Sequence, residues 1–432
     1  AQAADKYRQA LRVAEDEATA LKKLASVCLR SESWTELAEV LERQSQVAED
    51  ESMQAEFLFQ LADVREQKLS ESPAAVEALR EVLERQPGHG GARSALWRLL
   101  GNDGLRSDII VVLEPLFEDE DNYEQLAELL VHKLSITDDR FERAGLYARV
   151  AQLAEVELGD PLKALDAAGG WLAEDPQSEE ALTNLGRLGA ATNRWDEVAA
   201  RLKGILDSGE AENVRSLLLG RLGQTYLDML QDEERAEKVF RDLLVLEPDS
   251  QDALVSLQRI YRSRNDLRLL SDTLRKLADV VESTDDKHGH LVEVGQLREQ
   301  LGDVDGAAEV WRDVLALDES DRVAHQHLAE IYQSQHHWDD LIEVLGLSAT
   351  HSDGVDEEKQ FRARIAQTYA DHLGEMEEAA TAWQRVLDVD PSDLPALSSL
   401  EAIQVERDDW DAVQEVLVRR LVVVESEQDR IA

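Results

Sequence analysis

The sequence predicts an all-α chain, a solenoid of about 24 antiparallel helices, and two observations carry that expectation. One is a long period. Trp195, Leu267, Trp338 and Trp410 open the similar segments WDEVAARL, LRLLSDTL, WDDLIEVL and WDAVQEVL at intervals of 72, 71 and 72 residues. Tyr123 of YEQLAELL lies 72 residues before Trp195, and Trp34 of WTELAEVL lies another 89 before that. Pro87, Pro176, Pro248 and Pro391 keep the same register, with Glu319 replacing proline once. The other observation is the pattern inside each unit: apolar residues recur every three or four positions, and no stretch alternates as a half-buried strand would.

Each 72-residue unit reads as four helices. Short turns rich in Gly, Pro, Asp and Ser separate them, which forces sequence neighbours to pack antiparallel. Seven of the eight prolines fall at expected helix starts or just past helix ends, where a missing N–H costs little; Pro115 falls inside a helix.

In chain order, residues 1–87 carry repeats that start inside a pair: Ala3, Tyr7 and Glu15 fall on the places of Ala379, Trp383 and Pro391. Residues 88–122 break the period and hold an additional helix, SDIIVVLEPLF, flanked by GHGG, GNDG and EDEDN. Trp97 stands there in the place of Ala25, Gly186 and Ala329, so the close helix approach of the other units has to be made differently. Local departure from a consistent pattern marks strain or function; the segment reads first as a tolerated insertion with compensating repacking and, alternatively, as a hinge or docking element with weaker packing than the regular units. Residues 123–432 return to the regular period. Glu425 to Ala432 match Glu282 to Gly289, where a further helix would begin, so the chain is expected to be part of a longer array.

Composition narrows the function. A formal charge of -45, with 91 acidic against 46 basic residues, disfavours nucleic acid as a direct partner, because phosphates would be repelled. A 43% hydrophobic content is too high for a disordered acidic tail. No apolar run approaches the roughly 18 residues a membrane helix needs, so no membrane insertion is expected. Cys28, the one cysteine, excludes an internal disulfide and a cysteine metal cage; it leaves the compartment open, with cytoplasm favoured over periplasm. It stands at the inward-packing place of Tyr261 and Tyr332 and reads as a structural thiol. There is no phosphate loop, nucleophile elbow, HExxH helix or dinucleotide turn, so neither an enzyme nor a cofactor is expected. Eight of the ten histidines lie between 288 and 372. His325 with His327, and His336 with His337, lack the i, i+4 spacing of a helical metal pair and read as solvated surface. The acidic runs Glu118–Asp121 and Asp356–Glu358 lack the calcium-loop spacing and read as solvated loop ends.

The stretch from Leu291 to Glu319, LVEVGQLREQLGDVDGAAEVWRDVLALDE, resembles a tetratricopeptide repeat: Gly295 at the small position of the first helix, Gly302 at the turn, then Ala307 and Trp311. Phe361 to Pro391 matches through Ala366, Tyr369, Gly374, Ala379 and Trp383, and His325 to Ser348 is a degenerate version that keeps Ala329 and Tyr332. The resemblance covers nearly the whole chain. It implies a right-handed superhelix whose first helices line a concave groove, with the residue after the small position facing into it. That place holds Asp63, Gln152, Gln224, Gln296 and Gln367; three residues earlier come Gln60, Arg149, Arg221, Glu293 and Arg364. In the degenerate pairs it holds Ser26, Arg98, Arg187, Arg259, Glu330 and Ala402. Carboxamides suit the backbone of an extended peptide and guanidinium groups suit carboxylates, although these arginines could instead pair with neighbours such as Glu155 or Glu299. The family's dicarboxylate-clamp pattern of lysines and asparagines is missing. The expected function is a non-catalytic protein-interaction scaffold that holds an extended segment or helix of a partner protein. The rivals are the regulatory arm of a larger enzyme and a structural subunit that associates end to end.

Overall fold

The computed structural model describes residues 17–431, and all of their regular structure is helical. The match at Ala3, Tyr7 and Glu15 lies outside the described residues. Two compact units divide the chain, one ending at Leu218 and the other beginning at Leu219. The first holds α1 (Glu17–Arg30), α2 (Trp34–Val47), α3 (Glu51–Gln67), α4 (Ser72–Arg85), α5 (Gly90–Leu99), α6 (Arg106–Asp119), α7 (Tyr123–Leu134), α8 (Arg140–Gln152), α9 (Pro161–Glu174), α10 (Glu179–Thr192) and α11 (Trp195–Ser208). The boundary falls within α12 (Arg215–Gln224). The second unit continues with α13 (Glu233–Leu246), α14 (Gln251–Ser263), α15 (Leu267–Val280), α16 (Thr284–Gln300), α17 (Val304–Leu317), α18 (Arg322–Gln335), α19 (Trp338–Thr350), α20 (Val355–Thr368), α21 (Met376–Val389), α22 (Leu394–Glu406) and α23 (Trp410–Ile431). Inside each unit, successive helices pack on one another as hairpins.

The backbone repeats with the sequence. Ser70, Gly159, Gln231, Gly302 and Gly374 adopt positive φ after α3, α8, α12, α16 and α20, at intervals of 89, 72, 71 and 72 residues. Glu32, Asp121, Asn193, Asn265, His336 and Asp408 do the same before α2, α7, α11, α15, α19 and α23. A left-handed residue ends a helix while its N–H caps the last carbonyls, so each turn reverses the chain within a few residues. At Gly302, φ is +75°, which glycine adopts without a Cβ clash. After three of these helices the last turn widens into a π turn: Leu153–Glu157, Thr225–Met229 and Tyr369–Leu373.

Side chains then decide how closely the hairpins close. A Cβ on Gly295 of α16 would lie 2.6 Å from the Trp311 ring of α17, and one on Gly223 of α12 would lie 2.7 Å from Phe240 of α13. Ala366 of α20, fully buried, sits in one cluster with Trp383 of α21. In the α8–α9 hairpin the roles are exchanged, and Gly170 of α9 receives the Tyr147 ring. Trp311 is fully buried, and its indole N–H donates to Glu299 at 2.7 Å, so the ring loses no hydrogen bond on burial.

In the irregular segment, α5 begins at the regular place after Pro87 and α6 ends at the regular left-handed residue, Asp121. Two helices thus stand where later units have one. The segment packs as an insertion with compensating repacking, and the weaker packing of the alternative is not found. Ile109, Leu113 and Phe117 of α6 are at most 1% exposed, and Trp97 packs edge-on against Phe117 and His132 at ring separations of 5.9 and 6.2 Å. The indole that could not fit a close helix approach is instead covered by the side chains of the extra helix. Pro115 faces solvent; the bond it removes is to the carbonyl of Val111, which is 71% exposed, so water can take that place.

Two glycines test this account of packing. Gly295→Ala drives a methyl into the Trp311 ring and is expected to cost about 1–3 kcal/mol. Gly346→Ala, inside α19 with open space at its Cβ, is expected to stabilise by about 0.5–1 kcal/mol. Thermal and urea unfolding followed by circular dichroism reads both, and equal effects at the two sites would remove the steric explanation.

Candidate functional site

The predicted stripe residues lie on successive first and third helices of the units, and most of the arginines form rungs between them. Arg98 of α5 reaches Glu66 of α3 at 2.7 Å, Arg187 of α10 binds Glu155 in the π turn after α8, and Arg259 of α14 meets Asp228 in the π turn after α12 at 2.7 Å. The separations in sequence are 32, 32 and 31 residues, so this is one contact repeated. The bond from Arg187 holds the Glu155 carboxyl below the usual carboxylate range, while burial pulls the other way. A second set of rungs runs from the third helix to the first helix that follows. Arg149 of α8 binds Glu114, at 3.1 Å, and Glu118 of α6, and the polarity reverses where Arg262 of α14 meets Glu293 of α16 at 2.7 Å. The corresponding rung from α18 to α20 joins Gln333 and Arg364 at 3.2 Å. Each pair is partly exposed, so each adds about 0–1 kcal/mol and serves mainly to set how the helices face one another.

Gln152, Gln224, Gln296 and Gln367 are all exposed and make no side-chain hydrogen bond within the described residues. Their carboxamides are therefore open to a ligand on both their donor and acceptor sides. Among the described residues, the exposed Arg221 makes no ion pair, and Arg364 bonds a carboxamide oxygen and no carboxylate. The first unit thus presents Gln152 beside the satisfied arginines Arg98, Arg149 and Arg187. The second presents Gln224, Gln296 and Gln367 with two guanidinium groups, Arg221 and Arg364, that lack a carboxylate, beside Arg259. The carboxylate partners Glu66 and Asp228 were not singled out from the sequence, although a spacing of 31 or 32 residues to an arginine on the next repeat is the signal that finds them.

His336 and His337 are exposed, as expected, whereas His325 and His327 depart from the solvated surface expected of them. His325 is 4% exposed, and its Nε2 is buried without a hydrogen-bond partner. It belongs to the apolar face His325, Leu328, Ala329 and Tyr332 of α18, the i, i+3, i+4, i+7 series that pair spacing alone overlooks. His327 stacks on Trp311 at 4.6 Å and meets Glu299 at 2.9 Å. Trp338 is stacked by His372 at 3.9 Å and by His336 at 5.2 Å. The acidic runs, too, are partly engaged: Glu118 with Arg149, Glu120 with Arg93, Glu357 with Arg322 and Glu358 with Arg362. The Tyr123 hydroxyl donates to Asp121 at 2.7 Å, which pushes its pKa up to about 12. Cys28 is buried, as its inward place required. Among the described residues no three His, Cys, Asp or Glu side chains gather to hold a metal, and no helix is long and apolar enough to cross a membrane.

No protein-family model matches the sequence, and a comparison with curated proteins finds no match. Solved structures similar to this chain include a tetratricopeptide repeat protein from Parabacteroides merdae, 17% identical, with 60% of this chain and 98% of the other covered at a TM-score of 0.27. YrrB, described as a TPR protein with an unusual peptide-binding site, is 15% identical over 45% of this chain and 95% of its own, at a TM-score of 0.25. The Cut9–Hcn1 hetero-tetramer of APC/C is 14% identical over 97% of this chain and 84% of its own, at a TM-score of 0.22.

Burial, and next the neighbouring His351, hold the His325 imidazole below its ordinary value of 6.5, against a weaker pull from Asp321 and Asp318. The unfolded chain takes up a proton near pH 6.5 that the folded chain refuses, so stability falls as the pH drops through that value. In His325→Leu this part of the fall disappears. Urea midpoints at pH 7.5 and 5.5 should therefore lie closer together in the variant, and an unchanged gap would clear His325 of the effect.

Proposed function

We propose that the chain is a non-catalytic protein-interaction scaffold that holds extended segments of a partner protein, on a face carrying Gln152 in the first unit and, separately, on a face carrying Gln224, Gln296 and Gln367 in the second. The observation that carries this reading is the set of glutamines at one repeated place, exposed and without an internal partner, between arginine rungs that fix the helices supporting them. An extended backbone presents an acceptor and a donor at each residue, and a carboxamide answers both. Arg221 and Arg364 add a preference for acidic side chains on the segment, while the remaining negative surface accepts basic partners. Membership of a larger enzyme as its recognition arm is compatible with the same faces.

A second reading, end-to-end association, is favoured by α23, where Leu417, Val418, Leu421 and Val422 are 45–61% exposed on one helix. Contiguous exposed apolar side chains mark contact surfaces. Sedimentation velocity across a concentration series should show association that Leu421→Glu abolishes; a concentration-independent monomer would end this reading.

The scaffold reading is tested with a partner recovered by pull-down from the native host and identified by mass spectrometry. Its titration against Gln224→Ala/Arg221→Ala, and separately against Gln152→Ala/Arg187→Ala, should show losses of about 1–3 kcal/mol in at least one unit, with the helical spectrum intact. Unchanged affinity in both variants would move the interface off these faces.

A further inference from the structure

Between α18 and α20, closed below by the C-terminal turn of α19, lies a groove of about 590 Å³. α18 supplies His325, Ala329, Gln333 and Glu330, whose carboxylate takes the Gln326 amide, and α20 supplies Phe361, Arg364 and Glu357, whose carboxylate is held by Arg322. The repeat makes one of these side chains unusual. Eleven residues before each left-handed turn residue the other units place Leu21, Ile110, Leu182, Leu254 and Leu397, and here stands His325. His351, which stacks beside it at 6.1 Å, takes a place that holds Val47, Ile136, Val280 and Val423, and once Ser208, elsewhere. An imidazole substituted into an apolar position, with a buried nitrogen left unbonded, costs free energy that leucine would not, and so calls for a ligand that supplies the missing partner.

Arg364 faces the same groove. Arg322 at its rim is held by Asp353 at 2.6 Å and Glu357 at 3.0 Å, whereas the side-chain partner of Arg364 is the Gln333 carbonyl oxygen. In a chain with twice as many acids as bases, a guanidinium without a carboxylate is a vacancy for one. We infer that this groove is a subsite for a glutamate or aspartate side chain of a bound segment, its carboxylate taking hydrogen bonds from Arg364 and the His325 imidazole while Phe361 and Ala329 receive its aliphatic neighbours. This rests on the scaffold reading above, since the groove lies between two of the helices that form the binding face.

The test uses the full chain and a labelled acetyl-Ala-Leu-Glu-Leu-Ala-amide peptide, titrated by fluorescence anisotropy beside the same peptide with Gln at its centre and a Gln peptide with a free C-terminal carboxylate. The Glu peptide is expected to bind at least tenfold more tightly than its amidated Gln counterpart. His325→Leu and Arg364→Gln should each abolish that difference without weakening the Gln peptide. His325→Leu carries the residue that most other units have at this place, and circular dichroism checks its fold; Arg364→Gln removes an exposed side chain. Equal binding of the amidated Glu and Gln peptides overturns the subsite and leaves the scaffold reading standing. Binding of neither overturns both. A free-terminus Gln peptide that matches the Glu peptide overturns the side-chain assignment in favour of a chain end.

Discussion

The close contact of a small residue with an aromatic ring, made in the α8–α9, α12–α13 and α16–α17 hairpins, is what the rest of the structure depends on. With glycine at 223 and 295, the ring of Phe240 or Trp311 lies directly against the backbone of the facing helix. That fixes both the separation of the two helices and the rotation of each about its axis, because an indole or phenyl ring fits in one orientation only. Once rotation is fixed, the residue after the glycine, Gln224 or Gln296, is directed away from the ring and toward solvent. The exposed place that carries the glutamines is therefore a consequence of packing on the opposite side of the same helix turn.

Charge is the second constraint. With 91 acidic residues, helices that pack in parallel rows would repel one another unless basic groups were placed between them. The arginines are spent there: Arg98, Arg149, Arg187, Arg259 and Arg262 each bridge to an acid 31 to 35 residues away, on a neighbouring helix of the row. Such rungs add little stability individually, but each discriminates against a shifted packing of adjacent hairpins, which would bring carboxylates together. The same economy is why Arg221 and Arg364 carry information. At these two stripe places no carboxylate among the described residues takes the guanidinium, in contrast to Arg98, Arg149, Arg187 and Arg259.

The segment from α5 to α6 shows how far the repeat tolerates change. The chain enters it after Pro87 and leaves it at Asp121 in regular register, so the units on either side keep their own contacts. Within it Trp97, too large for the place it occupies, is met by Phe117 and His132 instead of a facing backbone. Arg98 still makes its rung to Glu66, and Arg149 finds Glu114 and Glu118 on the added helix. Phe117 and Glu118 stand four and three residues before the left-handed Asp121, at the places of Tyr261 and Arg262 before Asn265, so the added helix restores packing and charge from regular places of the repeat.

By itself the sequence determined the period, the all-helical class, the hairpin partners and the places that face outward, because these follow from local spacing: Trp195, Leu267, Trp338 and Trp410 recur with the repeat, and Gly295 and Trp311 lie on one hairpin. It also located the candidate stripe, and it named pairing with neighbours such as Glu155 or Glu299 as one of two fates for those arginines. Only the tertiary structure decided which fate each one met, since a rung joins residues about 32 positions apart and depends on the rotation of two helices. The same holds for His325. Its neighbours in sequence, Gln326 and His327, suggest a polar surface, yet the α18 face it shares with Leu328 and Tyr332 turns it inward, and the missing partner of its Nε2 exists only as a property of the packed groove. Spacing along one helix is a local quantity, whereas burial and pairing are set by what the next helix places opposite.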